Sequence, residues 1–171
     1  VVGADCDPSC PAASSVEEFL LFPKLAELSD ERLVEELNKA RITHVLPTRD
    51  EELLFWSQRR DLLSTEGVNA WVGSSQYLEP CSDKLKFSEA WKTGPIPPIP
   101  TFQEIPPTWT GSWVVKERRG SGSRKVGLNL SAKDAVNASI ALEEPIFQPF
   151  VSGREFTAET WIDDKGIPRG R

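Results

Sequence analysis

The order of apolar segments in residues 1–72 constrains the fold more than any other feature of the chain. Residues 1–4 form a short apolar run that stops at Asp5-Cys6-Asp7-Pro8, and residues 42–46 and 68–72 form two more. Two stretches with helical signals separate them. In the first, Ser29 precedes Asp30 and Glu31, Leu33, Leu37 and Ala40 make one stripe, and Lys39 and Arg41 lie at the end. That arrangement caps a helix and matches its dipole at both termini. In the second, Thr48-Arg-Asp-Glu51 reads as a capping box opening a helix to about Thr65, with Gly67 just beyond. A strand–helix–strand–helix–strand order predicts a parallel sheet with helices on its faces. Ligands gather at the carboxyl ends of such strands, which here carry Asp5, Asp7, Thr48, Arg49, Asp50 and Glu51. Ordinary caps and turns would use the same residues.

The second half has a different rhythm. Ser82 reads as the cap of a helix over 83–91 that closes at Thr93-Gly94. The proline-rich passage PIPPIPTFQEIPP (95–107) reads as an extended connector into a strand near 101–103. A recognition motif for a proline-binding module is the alternative. Strands are expected at 113–117 and 126–130, on either side of a Gly/Ser loop. Ser131-Ala-Lys-Asp134 opens a helix to about residue 143. Strands over 145–151 and 156–162, a turn at 164–166 and the start of a further strand complete the chain. The whole is an α/β protein in which a parallel-sheet unit, residues 1–78, precedes a small α+β unit, residues 79–171.

The Gly/Ser loop carries the strongest chemical signal. Residues 116–125 hold five basic side chains (Lys116, Arg118, Arg119, Arg124, Lys125) against Glu117, a local charge of +4 in a chain of net charge -6. A cationic, glycine-rich hairpin in an acidic protein suggests a grip on polyphosphate, because Gly and Ser let backbone amides turn toward an anion. The loop is neither a P-loop, since GxxxxGK[ST] is absent, nor a dinucleotide fingerprint, since Gly120, Gly122 and Gly127 miss the spacing and a strand follows. A solvated hairpin turn is the competing reading.

Composition narrows the partners. A pI near 5.0 and a single short basic loop argue against nucleic acid and for a small anionic ligand. No apolar run approaches the roughly 18 residues of a membrane span. The three cysteines, Cys6, Cys10 and Cys81, are an odd count, which argues against a disulfide framework and for the reducing cytoplasm. Cys6 and Cys10 are half a metal site without a second pair, and the single histidine, His44, lies in an apolar run. The opening VVGADCDP reads as a strand entered partway and WIDDKGIPRGR as a strand that stops, so a fragment is expected; trimmed tails are the alternative.

Five passages in order resemble the ATP-grasp superfamily, in particular its carbamoyl-phosphate-synthase-like carboxylate–amine ligases. They are the parallel-sheet unit, Asp83-Lys84 at a helix start, Gly94-Pro-Ile-Pro-Pro-Ile-Pro-Thr101, the passage from Val114-Val-Lys116 through Gly120-Ser-Gly-Ser123, and Gln148-Pro-Phe-Val-Ser-Gly-Arg-Glu155. The resemblance implies a partial pre-ATP-grasp domain followed by the small subdomain and the start of the large subdomain of an ATP-grasp fold. It implies that Lys84 and Lys116 contact nucleotide phosphates. Gly120, Ser121, Gly122 and Ser123 would close over the phosphates. The hinge strand over 148–151 (Gln148, Phe150 and Val151 around Pro149) would meet the adenine edge, and Glu155, read as a buried acid, would bind ribose. The implied partners are ATP with Mg2+ and small carboxylate and amine substrates joined through an acyl phosphate, with no nucleic acid and no membrane; a homo-oligomer is compatible.

Two departures stand out. The hinge position holds Gln148 where the family often has an acid, and Pro149 has no N–H to offer adenine. The family's magnesium-binding acids and asparagine would lie downstream of Arg171, so no metal ligand is assigned, no catalytic residue is assigned, and this segment alone is not expected to turn over. A nucleotide-binding or regulatory module without turnover, and a protein-interaction domain using the proline-rich passage, are the competing functions.

Overall fold

The structure, a computed structural model, describes residues 1–120, 122, 125–162 and 167–170. Strand β1 (Val2–Asp5) pairs in parallel with β2 (Glu18–Leu21) across a 3-10 turn at Pro11–Ser14. β2 escapes sequence reading because its apolar run is only Phe19 to Phe22 and shows no alternation. Helix α1 (Asp30–Lys39) begins where expected, with the Ser29 hydroxyl accepting the Arg32 amide. Leu33 and Leu37 bury its inner face. Strand β3 (His44–Val45) pairs in parallel with β4 (Asn69–Ala70).

The helix expected over residues 50–65 is two helices, α2 (Asp50–Gln58) and α3 (Arg60–Thr65). The Arg59 guanidinium causes the break. It donates to the Phe55 carbonyl at 3.2 Å, lies over the Phe55 ring, and pairs with Asp30 at 2.7 Å. The Arg59 amide turns to the Trp56 carbonyl instead, and the α-helical ladder stops. Arg49, in extended conformation, occupies the cap position without a side-chain bond, so the Thr48 capping box does not form.

The parallel strands form two pairs rather than one continuous sheet. A cavity of about 270 Å³ lies between them, lined by Gly3 and Ala4 of β1, His44 and Val45 of β3, and Leu46 and Trp56 among others. The pairs still share one core, in which Phe22, Leu37, Trp56, Leu63, Val68 and Ala70 pack together.

Helix α4 (Ser75–Cys81), unforeseen because Pro80 sits in it, runs across position 78. Helix α5 (Lys84–Ala90) is capped by Asp83, whose Oδ1 accepts the Leu85 and Lys86 amides. Ser82 is not that cap: its amide is bonded to the Leu78 carbonyl and its hydroxyl to the Glu79 carbonyl, so it closes α4.

The second unit is an antiparallel sheet in the order β6-β5-β7, built from β5 (Trp113–Glu117), β6 (Gly127–Leu130) and β7 (Pro145–Pro149). Helix α6 (Ala132–Ser139) covers one face, where Trp113, Val115, Phe147 and Ala135 form a second core. It ends short of residue 143 because the Glu117 carboxylate captures the Glu143 and Glu144 amides and turns the chain into β7. The proline-rich passage is part of the fold: Phe102 exchanges two backbone hydrogen bonds with Phe147 on the free edge of β7. The expected strand over 156–162 is only β8 (Thr160–Ile162), paired with β9 (Pro168–Gly170); the expected turn at 164–166 lies outside the described residues. The Ser131 hydroxyl caps α6 through the Asp134 amide. Ser131→Ala should therefore lower stability by about 1 kcal/mol, read as a shift of the urea midpoint at unchanged slope.

Candidate functional site

Side chains alternate across the β5–β7 ladder, so Trp113, Val115 and Phe147 face α6 while Val114, Lys116, Ile146 and Gln148 face the other way. Lys116 is half-buried at the end of this second face. Lys84, the first residue of α5, approaches the same place. Its amide donates to the Arg118 carbonyl at 3.1 Å, and its Nζ donates to the Gly120 carbonyl at 2.9 Å and the Arg118 carbonyl at 3.4 Å. Burial lowers the pKa of Lys116, and the neighbouring Lys84 charge lowers it further. Burial also lowers that of Lys84, against the opposing pull of Asp83 and Glu117. Two partly desolvated ammonium groups that feel one another make a site whose charge an anion would relieve.

The arginines of the basic loop have other work. Arg118 forms a fork on Asp83, with Nε at 2.8 and 2.9 Å from its two oxygens and Nη2 at 2.7 Å. Arg119 reaches Asp83 at 3.1 Å and also pairs with Glu144. Lys125 donates to the Ala141 carbonyl. Arg118 and Arg119 thus tie segments of the fold together, whereas no carboxylate among the described residues engages Lys84 or Lys116 at ion-pair distance. Arg124, Ser121 and Ser123 lie outside the described residues. Gly120 and Gly122 have φ of 96° and 77°, conformations that favour glycine and turn the chain sharply at the loop.

Asp83 is the buried acid whose part in the fold sequence reading missed. It is 2% exposed. Burial alone would raise its pKa, but the Arg118 hydrogen bonds, the Lys86 amide and the charges of both arginines outweigh that and hold it at about 2. The available signal was an acid directly before Lys84; assigning the cap to Ser82 hid it.

The segment expected to act as a hinge is more constrained than the sequence alone implies. Because Phe147 turns its backbone groups to Phe102, Gln148 turns its own toward Val114 of β5. Pro149 has no N–H, and the Phe150 amide is bonded to the Ser112 carbonyl at 2.9 Å. Of the amides in residues 148–151, that leaves the one of Val151 not engaged by the fold. The Gln148 side chain donates to Thr101 Oγ1 at 2.7 Å, which fastens the proline-rich connector to the hinge.

Glu155 is exposed, not buried, because residues 151–159 leave the sheet as an exposed segment without regular structure. It is not in contact with the lysines, and Arg154 lies over Phe156 instead of pairing with it. The polar residues at the carboxyl ends of the parallel strands serve local turns and exposed pairs: Asp5 accepts the Asp7 amide, Asp7 accepts from Ser9, and Arg49 pairs with Glu51 and Glu52. Cys6, Cys10 and Cys81 are free thiols. Among the described residues, no three His, Cys, Asp or Glu side chains gather where they could hold a metal ion, and no helix is long and apolar enough to cross a membrane.

Residues 1–71 match the PylC-like N-terminal domain and residues 81–167 match the ATP-grasp domain. No curated protein matches the chain significantly in sequence. Among solved structures, N5-carboxyaminoimidazole ribonucleotide synthetase from Thermus thermophilus is similar with 17% identity and a TM-score of 0.65, over 99% of this chain and 46% of that one. The synthetase of the same name from Thermotoga maritima gives 22%, 0.63, 99% and 44%. Biotin carboxylase from Campylobacter jejuni gives 12%, 0.65, 99% and 43%. The chain spans less than half the length of each, and at these identities the likeness is one of fold. With the family match covering residues 81–167, the chain belongs to the ATP-grasp family.

Proposed function

We propose that the chain is the nucleotide-binding part of an ATP-dependent carboxylate–amine ligase of the carbamoyl-phosphate-synthase-like kind. Residues 1–78 form its pre-ATP-grasp unit, and residues 79–171 belong to its ATP-grasp domain. The observation that carries this reading is the convergence of Lys84 and Lys116 beneath a glycine loop, both with lowered pKa. In the proposed reaction a substrate carboxylate oxygen attacks the γ-phosphorus of ATP, ADP leaves, and an amine then displaces phosphate from the acyl phosphate. The two lysines hold the phosphates and offset charge on the transferring group. Gly120, Gly122 and the serines between and after them cover it. The Val151 amide meets the adenine edge, and Glu155 accepts from ribose hydroxyls once its exposed segment closes. Mg2+ would offset further phosphate charge, but the described residues offer no ligand cluster for it, so no step is derived through the metal. The cytoplasm, with its ATP and its reducing conditions, suits three free thiols.

A ladder of nucleotides tests the reading. ATP should bind at least about tenfold tighter than adenosine, since each charge-assisted contact is worth about 1.5–3 kcal/mol. Lys116→Ala should narrow that gap, and Glu155→Ala should weaken ATP and adenosine alike. Unchanged ATP affinity in both variants, measured by calorimetry, would show the site assignment to be wrong.

A further inference from the structure

We infer that Asp83 is the positioning residue of the phosphate site: its buried carboxylate staples the start of α5 to the end of β5 and so fixes Lys84 beside Lys116. The inference rests on the reading of these two lysines as phosphate ligands.

The staple works through both side chain and backbone. Oδ1 of Asp83 accepts the Leu85 and Lys86 amides at 3.1 and 3.2 Å, which sets where α5 begins. The same carboxylate takes the Arg118 fork and one branch of Arg119. Lys84 then closes the ring, its amide on the Arg118 carbonyl and its Nζ on the Gly120 carbonyl. Residues 83 and 84 thus grip residues 118 to 120 from both sides. Arg119 extends the grip to Glu144, the residue before β7. A planar fork on a carboxylate fixes orientation as well as distance, which an apolar contact between the same segments would not do. The Lys84 bonds to the Arg118 and Gly120 carbonyls bring it to the stretch just past Lys116, and two like charges placed there would otherwise drift apart. The clamp opposes that drift without placing any group of its own on the ligand.

The arrangement could instead be a reserve, with Arg118 and Arg119 parked on Asp83 until phosphate draws them away. The two ideas predict opposite signs. ATP is titrated calorimetrically into the 171-residue chain carrying Asp83→Asn, Lys84→Met, or both. Asparagine keeps an oxygen for the helix cap but removes the charge. The clamp predicts that Asp83→Asn weakens ATP about tenfold, as a misplaced ligand does, and leaves adenosine unchanged. In the Lys84→Met background the same substitution should cost less than about twofold, because Asp83 acts through Lys84. Additive losses, no loss, or tighter binding by Asp83→Asn overturns the clamp. If Asp83→Asn fails to fold by circular dichroism, Arg119→Gln removes a half-exposed branch of the staple. It should give a loss of about threefold that also vanishes beside Lys84→Met, and a loss that persists there overturns the clamp. Wild-type affinity in Lys84→Met would overturn the phosphate-site reading itself, whereas a weakened Lys84→Met beside an unaffected Asp83→Asn overturns only the clamp.

Discussion

Asp83→Ala should destabilise the chain by about 3–5 kcal/mol, a large share of the stability of a domain this size. Alanine removes a carboxylate that is 2% exposed and leaves the Arg118 guanidinium, largely covered, without its partner. It also uncaps α5. The loss should appear as a lower midpoint in guanidinium or urea at unchanged slope. Acid should produce a milder form of the same effect. The Asp83 pKa is about 2 in the fold against an ordinary value of 3.8, so the folded chain holds this proton less tightly than the unfolded one. Its contribution is fully present above the ordinary value and is lost as pH falls through about 2. Asp83→Ala should therefore flatten the acid limb of stability against pH. An unchanged midpoint in Asp83→Ala would contradict the account of the ion network.

Lys84→Met combined with Lys116→Met should reduce ATP affinity about 100-fold or more, since two charge-assisted contacts are removed. The effect on folding should have the opposite sign. Both ammonium groups are held below their ordinary pKa by burial, and Lys116 also by Lys84. In the window just below the ordinary lysine value the unfolded chain binds more protons than the folded one, so wild-type stability rises with pH there. The double variant should lack that rise and should be no less stable than wild type at neutral pH. Equal ATP affinity in the double variant and wild type would remove the phosphate site from Lys84 and Lys116.

Local order in the chain was largely legible in the sequence. Ser29, Ser131 and Gly67 punctuate their elements where expected, because caps and left-handed glycines act within a few residues. The strands at Trp113–Glu117, Gly127–Leu130 and Pro145–Pro149 follow from apolar runs bounded by turn residues. What escaped depends on contacts across the chain. Arg59 breaks a helix by reaching Asp30, 29 positions away. Asp83 finds Arg118 35 positions away, and that pairing decides which basic residues of the loop are left for an anion. Charge counting alone assigned all five to one role. In the hinge, the Phe102–Phe147 bridge decides which way each backbone group points, and no local pattern announces that. Glu155 looked buried because it follows a buried strand, yet the chain has already left the sheet.

If Lys84 and Lys116 together hold the phosphates of ATP, their ammonium groups should register its binding directly. Carbon-13 NMR of the lysine side chains, titrated with pH in the presence of ATP or of adenosine, tests it at the two atoms concerned. ATP should raise both lowered pKa values toward the ordinary lysine range, and adenosine should move neither. ATP binding that leaves the Lys84 and Lys116 titrations where they stand in the free chain would contradict that role.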